Sequence, residues 1–284
     1  ITRNIASRKN LLSAVFLLDP HPSKILSPHC ELLLLSTLEE RAEMLEDWGL
    51  DILFVQKFTS DLADLAPLEF VQKYLVNILR VDTVVIGFDY TFGSRGKGTA
   101  SNLMQWGKKF GFAVEIVPPV KRDGKIVSST LIRDFLHKGE VKKAAAYLDF
   151  WFTRCGKVVH GEGRGNKLGF PTANLDIPPD LLLPAHGVYL TSVCWRGREI
   201  FGLTNIGVKP TFGTSKEPVV EVFLLDFDQN IYEEELSVKF LCKIRDEVSF
   251  KDAGSLKKQI EGDVHFARNL IAQKYGSLKE KQLI

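Results

Sequence analysis

Gly161-Glu162-Gly163-Arg164-Gly165-Asn166-Lys167-Leu168-Gly169-Phe170-Pro171-Thr172-Ala173-Asn174 is the stretch from which the rest of the chain can be read. Its closely spaced glycines, Gly161, Gly163 and Gly165, can turn successive backbone N–H groups towards a phosphate chain, and Arg164 and Lys167 can neutralise it. A hairpin turn is the plainer reading of such a loop. The following Pro171-Thr172-Ala173-Asn174 shifts the balance, because Thr172 and Asn174 stand two residues apart and so lie on one side of an extended segment. A hydroxyl and a carboxamide oxygen placed together in this way suit Mg²⁺ held by nucleotide phosphates.

Around this stretch the hydrophobic pattern is that of strands. Residues 151–160, 188–195, 199–205, 219–227 and 235–244 are short apolar runs separated by turn signals, with little helix between them. They predict a small antiparallel barrel or sandwich. Leu256, Ile260, Val264, Ala267, Leu270 and Ile271 recur at helical spacing, which predicts a carboxy-terminal amphipathic helix packed on those strands.

Upstream of Asp149 the rhythm differs. Strand-like runs at residues 13–18, 52–58, 83–88 and 112–117 alternate with helical patterns at 38–48, 67–79 and 100–110. Ser36 with Glu39 forms a capping-box signature for the first of these helices, and Pro67 opens the second. Alternation of this kind predicts an α/β half built on a parallel sheet covered on both faces, with helices at about 130–137 and 141–148 closing it. The boundary falls at residues 149–152, giving domains 1–149 and 150–284.

Composition excludes several classes. A chain of 284 residues exceeds the usual single-domain size, so two cores are expected. Lys and Arg number 37 against 35 Asp and Glu, a net charge of +2, so no general basic field points to nucleic acid or an anionic membrane. Cys30, Cys155, Cys194 and Cys242 lie far apart, which argues against a zinc knuckle or a disulfide scaffold and favours a reduced, cytoplasmic setting. No apolar run approaches the ~18 residues needed to span a bilayer. Arg3, Arg8 and Lys9 ahead of the apolar run at 11–18 mimic a signal peptide, but Asp19-Pro20 ends the run without a small-residue cleavage site. The segment is read as a helix tail leading into a buried strand.

The run G-K-V-V-H-G-E-G-R-G-N-K-L-G-F-P-T-A-N-L at residues 156–175 resembles the riboflavin kinase domain. Gly187-Val188-Tyr189, Asn205-Ile206-Gly207, Pro210-Thr211-Phe212 and the run from Val220 to Leu225 follow in that family's order. The first half is similar to the other part of the bacterial bifunctional riboflavin kinase/FAD synthetase family, through Asp19-Pro20-His21-Pro22, the run from Gly87 to Gly93 and Ser128-Ser129-Thr130-Leu131-Ile132-Arg133. The resemblance covers essentially the whole chain. It implies a Rossmann-like nucleotidylyltransferase domain with a parallel sheet, followed by a small antiparallel β-barrel kinase domain with a C-terminal helix.

Three departures stand out. The family's G-x-F-D-G-x-H-x-G-H turn has no counterpart in a chain that starts at Ile1, so an amino-terminal piece is expected to be missing. Leu17-Leu18 stands where the family usually has Thr-Phe, and Phe223 where a His is common.

The resemblance implies roles for particular residues. Thr172 and Asn174 become Mg²⁺ and ATP-phosphate ligands beside Gly161, Gly163, Arg164 and Lys167. Phosphoryl transfer to an alcohol also needs a group to accept the hydroxyl proton, and Glu221 is the candidate, activating the ribityl 5′-hydroxyl of riboflavin. A carboxylate among Val219, Val220, Val222 and Phe223 should lie at a cavity mouth, the alternative being a solvent-facing strand Glu. Arg245 and Phe250 fall near the flavin end of the family's site, with a surface Arg and a core Phe as the alternatives. Phe212, after Pro210-Thr211, reads as core rather than as a flavin-stacking residue.

In the first half the resemblance assigns Ser129, Thr130 and Arg133 to ATP, and Asp89 to the nucleotide or flavin region. Free N–H groups and the dipole at a helix start suit phosphate, although plain N-capping is the common use of such residues. His21 is a structural or a catalytic histidine in a Pro-flanked turn.

The expected function is phosphorylation of riboflavin to FMN with MgATP and, in the complete protein, adenylylation of FMN to FAD with release of pyrophosphate. The alternatives are a kinase only, or a non-catalytic flavin-binding protein. The metal-ligand pair and the base argue against the last, since a binding module needs neither.

Overall fold

A computed structural model describes residues 1–27, 32–161, 164–208 and 218–274, without the side chains of Arg164 and Lys167. Cys30, Gly163, Pro210, Thr211 and Phe212 therefore lie outside the described residues, as do the side chains of those two cations. The chain divides into two compact units, Ile1–Ile126 and Val127–Ile284.

The first unit runs α1 (Thr2–Lys9), β1 (Ala14–Asp19), α2 (Pro22–Leu26), α3 (Leu38–Asp47), β2 (Ile52–Lys57), α4 (Ser60–Asp64), α5 (Pro67–Phe70), β3 (Thr83–Gly87), α6 (Ala100–Phe110), β4 (Ala113–Val117), β5 (Lys121–Arg122) and β6 (Lys125–Ile126). Strands β1 and β2 pair in parallel, Ala14 opposite Ile52 through Asp19 opposite Lys57, and β3 pairs in parallel with β4. A π-helical stretch, Val71–Ile78, continues α5 and contributes Val71, Tyr74 and Leu75 to an aromatic-rich core with Phe70, Phe92 and Phe112. Phe16 of β1 meets Phe70 and Tyr74 edge-on, at 5.7 Å in each case, which seats this strand on that core.

The cap of α3 lies one residue later than expected from Ser36 and Glu39. Thr37 is the N-cap: its Oγ1 accepts from the Glu40 N–H at 3.0 Å, and its own N–H donates to Glu40 Oε2 at 2.9 Å. Thr37→Ala should lower the stability of this unit by about 1 kcal/mol. A chemical-denaturation midpoint unmoved by the substitution would assign the cap no weight.

The second unit begins with α7 (Ser129–His137) and α8 (Val141–Leu148) and continues β7 (Thr153–Val159), α9 (Arg164–Leu168), β8 (Ala173–Asp176), β9 (Gly187–Trp195), β10 (Arg198–Val208), β11 (Pro218–Leu224), β12 (Glu235–Arg245) and α10 (Ala253–Lys274). Six antiparallel strands close a barrel in the order β10-β11-β8-β7-β12-β9. Alternation sorts their side chains to two faces. Tyr189, Thr191, Thr204, Ile206, Val220, Val222, Val238 and Phe240 are almost fully buried and fill the inside, where the Thr191 and Thr204 hydroxyls satisfy each other at 2.9 Å. Val188, Leu190, Leu203 and Phe223 point the other way and pack under Val264, Ala267, Leu270 and Ile271 of α10.

The glycine-rich stretch is in part a helix, where the sequence suggests a phosphate-cradling loop or a hairpin turn. Gly169, at φ +85°, ends α9 with the Phe170 N–H on the Gly165 carbonyl at 2.9 Å and the Gly169 N–H on the Asn166 carbonyl at 3.2 Å. This paired closure is the ordinary way a left-handed glycine stops a helix. The chain then turns straight into β8.

Candidate active site

Barrel closure brings together residues far apart in sequence. Asn174 of β8 is the direct partner of Glu221 of β11, Glu221 is the partner of Asn205 of β10, and Val188 of β9 pairs with both Asn205 and Arg245 of β12. Direct partners in antiparallel strands share a face, with Cβ atoms ~5 Å apart. These five residues therefore form one row on the outer face of the barrel, and all five line a cavity of about 370 Å³.

Val220, Val222 and Leu224 anchor β11 inside the barrel, which forces Glu221 and Phe223 to the cavity side. Glu221 is thereby half-buried between two carboxamides rather than solvent-facing. Thr172 and Asn174 both line the cavity, and Asn174 is 8% exposed. Its Oδ1 is buried with no hydrogen-bond partner among the described residues. An orphaned carbonyl oxygen in the interior carries a cost of ~1–3 kcal/mol that a ligand can relieve.

The glycines here leave room for polar groups. A Cβ on Gly161 would fall inside the Asn174 carboxamide, and one on Gly165 would meet Thr172 Oγ1 at 3.0 Å as well as the Phe170 carbonyl. Hard oxygens from Thr172 and Asn174, one of them unpartnered, fit a small divalent cation such as Mg²⁺. Among the described residues no group of three His, Cys, Asp or Glu could hold a metal ion instead.

The far end of the cavity is built by Arg245, Phe250 and a residue that sequence reading passed over, Asp263 of α10. The Arg245 guanidinium lies 5.9 Å from the Phe250 ring centre and pairs with Asp263 through Nε and Nη2. The alternatives of a surface Arg and a core Phe thus do not describe where these two side chains lie. Asp263 had a visible signal, a carboxylate between Ile260 and Val264 in the apolar stripe of α10. Asn205, which the sequence offers only as part of the Asn205-Ile206-Gly207 motif without a role, and Glu247 also line the cavity. Thr172 further lines a second cavity of about 270 Å³, with Phe227, Asp228, Asn230 and Tyr232 on its walls.

The candidates assigned to the first half divide between the two units. Asp89 is exposed in the turn after β3, where the Tyr90 N–H donates to the Gly87 carbonyl at 3.2 Å. Ser129, Thr130 and Arg133 belong to α7 in the second unit. Ser128 caps this helix through the Leu131 N–H at 3.3 Å, which leaves Ser129 and Thr130 exposed on the first turn. Arg133 is half-buried, and burial pulls its guanidinium below the usual value. His21 caps α2, accepting from the Ser23 N–H at 3.3 Å with the Ser23 hydroxyl 2.6 Å from Nδ1, a structural arrangement.

Comparisons with known proteins divide the chain in the same order. A family model described as FAD synthetase matches residues 1–131, and one described as riboflavin kinase matches residues 148–271. A bifunctional riboflavin kinase/FMN adenylyltransferase of Listeria monocytogenes is 37% identical over 272 residues, covering 95% of this chain and 86% of that protein. Its namesake in Bacillus subtilis is 35% identical over 266 residues, covering 92% and 83%. A crystal structure described as a macrolide-efflux protein of Streptococcus pneumoniae superposes with a TM-score of 0.85 at 34% identity, over 94% of this chain and 86% of that one. Among the described residues here, no helix is long and apolar enough to cross a membrane.

Proposed function

The chain belongs to the bifunctional riboflavin kinase/FMN adenylyltransferase family, and on that premise we propose that the barrel cavity is where it phosphorylates riboflavin. The enzyme makes FMN from riboflavin and ATP, and FAD from FMN and a second ATP with release of pyrophosphate. The observation that supports the siting is the buried Asn174 Oδ1, unpartnered among the described residues, in the same cross-strand row as Glu221.

Phosphoryl transfer depends mainly on placing an alcohol in line with a charge-neutralised phosphate. Glu221 accepts the proton of the ribityl 5′-hydroxyl as that oxygen bonds to the γ-phosphorus and the bond to the ADP oxygen breaks. Thr172 Oγ1 and Asn174 Oδ1 would hold Mg²⁺, which would supply neutralisation of phosphate charge. Gly161 and Gly165 keep the approach to these oxygens open, and Gly163, Arg164 and Lys167 complete the phosphate side. The nucleotide extends towards the second cavity, which shares the lining residue Thr172 with the first. Arg245 and Phe250 take the isoalloxazine end of the flavin.

For adenylyl transfer, Ser129, Thr130 and Arg133 contact ATP phosphates, and Asp89 serves the nucleotide or flavin at the carboxyl end of β3. The functional boundary is placed at 149/150, so that residues 150–284 carry the kinase. The cytoplasm is the proposed compartment, since ATP is the co-substrate and Cys155, Cys194 and Cys242 are free thiols. The ligands are small molecules, with no nucleic acid or membrane partner.

The test is to incubate the purified chain with riboflavin, ATP and Mg²⁺ and separate the flavins by chromatography. FMN should appear first and FAD after it. FMN without FAD would confine this polypeptide to the kinase reaction, and retained riboflavin binding with no product would make it a flavin binder.

A further inference from the structure

Asp263 is a buried carboxylate, 5% exposed, that the phosphoryl-transfer chemistry leaves without a task. Its position is costly unless its partners are well placed, because removing an ion from water costs several kcal/mol that only good geometry offsets. The geometry is good. Arg245 Nε lies 3.1 Å from Asp263 Oδ1 and 2.9 Å from Oδ2, Nη2 lies 2.8 Å from Oδ2, and Gln259 Nε2 donates to Oδ1 at 2.9 Å. On its other side Arg245 Nη1 donates to the Asp246 carbonyl at 3.0 Å.

A guanidinium has five N–H donors in one plane, one on Nε and two on each Nη. With Nε and Nη2 turned to Asp263 and Nη1 to the Asp246 carbonyl, one N–H on each Nη has no partner among the described residues and is available to the cavity that Arg245 lines. The plane of the fork is set by the side-on carboxylate, and Phe250 lies beside it, lining the same cavity.

We propose that Asp263 is a positioning residue for the flavin. From α10 it holds the Arg245 guanidinium in the orientation that presents its remaining N–H groups to the ring carbonyls of the isoalloxazine. The inference rests on the assignment of Arg245 to the flavin end of the cavity. It makes α10 part of substrate recognition as well as a cover for the barrel, since Leu256 and Ile260 of the same helix also line the cavity.

The discriminating measurement is the set of kinetic constants of Asp263→Asn, Asp263→Glu, Arg245→Ala and the Asp263→Asn/Arg245→Ala double variant, with thermal unfolding of each. Asparagine keeps the shape and removes the charge. The expected result is a KM for riboflavin raised about tenfold by Asp263→Asn, with the KM for ATP unchanged and kcat within about twofold. Asp263→Glu should recover part of the loss, and the double variant should be no worse than Arg245→Ala, because both act through one guanidinium.

Four results would overturn the proposal. A lowered melting temperature with both KM values unchanged would make Asp263 a structural tie only. Equal rises in both KM values would mean general distortion of the barrel. Should Arg245→Ala raise the riboflavin KM while Asp263→Asn does not, the inference fails and the Arg245 assignment stands; should neither raise it, both fail. Asp263→Glu retains the charge and the helix, so it keeps the comparison interpretable if the asparagine variant folds poorly.

Discussion

Glu221→Gln is expected to slow FMN formation by about 10²–10⁴-fold while leaving riboflavin affinity within about twofold. Glutamine preserves the length and shape of the side chain, but it replaces one acceptor oxygen by an NH₂ donor and cannot take the hydroxyl proton at neutral pH. The position should be otherwise undisturbed, because Val220 and Val222 hold β11 from inside the barrel and do not depend on the charge. Single-turnover rates with saturating ATP and riboflavin isolate the chemical step from product release. A variant that turns over like the parent would remove Glu221 from the base role, leaving it a neighbour of Asn174 and Asn205 in the row. FAD formation from supplied FMN should be unaffected, which provides an internal control for folding.

Asn174→Ala should reduce kinase activity by on the order of a hundredfold at low Mg²⁺, because loss of a metal-holding oxygen removes several kcal/mol of charge neutralisation. Raising the Mg²⁺ concentration should recover part of the rate, and the apparent affinity for ATP should fall with it. Gly161→Ala offers an independent route to the same end, since the added methyl would overlap the Asn174 carboxamide and displace it without changing a donor atom. Its Mg²⁺ titration should shift in the same direction. Wild-type ATP and Mg²⁺ dependence in either variant would count against the pair of oxygens as the metal site.

The two halves of the chain were unequally legible. Strands and helices of the first half appear close to where their periodicity placed them, as in α6 at Ala100–Phe110, because an amphipathic pattern is a local property. The capping box slipped by one residue, from Ser36 to Thr37, since adjacent hydroxyl residues followed by adjacent glutamates satisfy the pattern in either register. Helix α9 was missed for a similar reason. Glycine density argues for a loop, yet Gly169 serves as the stop signal of a short helix. The π-helical run at Val71–Ile78 has no sequence signature that separates it from an ordinary helix.

Within the candidate site, Thr172, Asn174 and Glu221 were legible because each breaks a local expectation, a carboxylate in an apolar strand or paired oxygens after a glycine run. Asn205 carried no such contrast. Asp263 did break the apolar stripe of its helix, but what lies opposite a helix face is not written in the helix.

By itself, the sequence determined that an α/β half precedes an antiparallel β half, that a helix closes the chain, and that oxygen donors and a carboxylate sit on extended segments. Tertiary structure alone decided that Asn174, Glu221, Asn205 and Arg245 stand in one row, that Asp263 meets Arg245, and that the Asn174 oxygen has no partner among the described residues. The physical reason is that alternation along a strand is set by neighbouring residues, whereas register between strands as distant in sequence as β8 and β11, or β9 and β12, is set only when the barrel closes and every strand must bury its inner face at once.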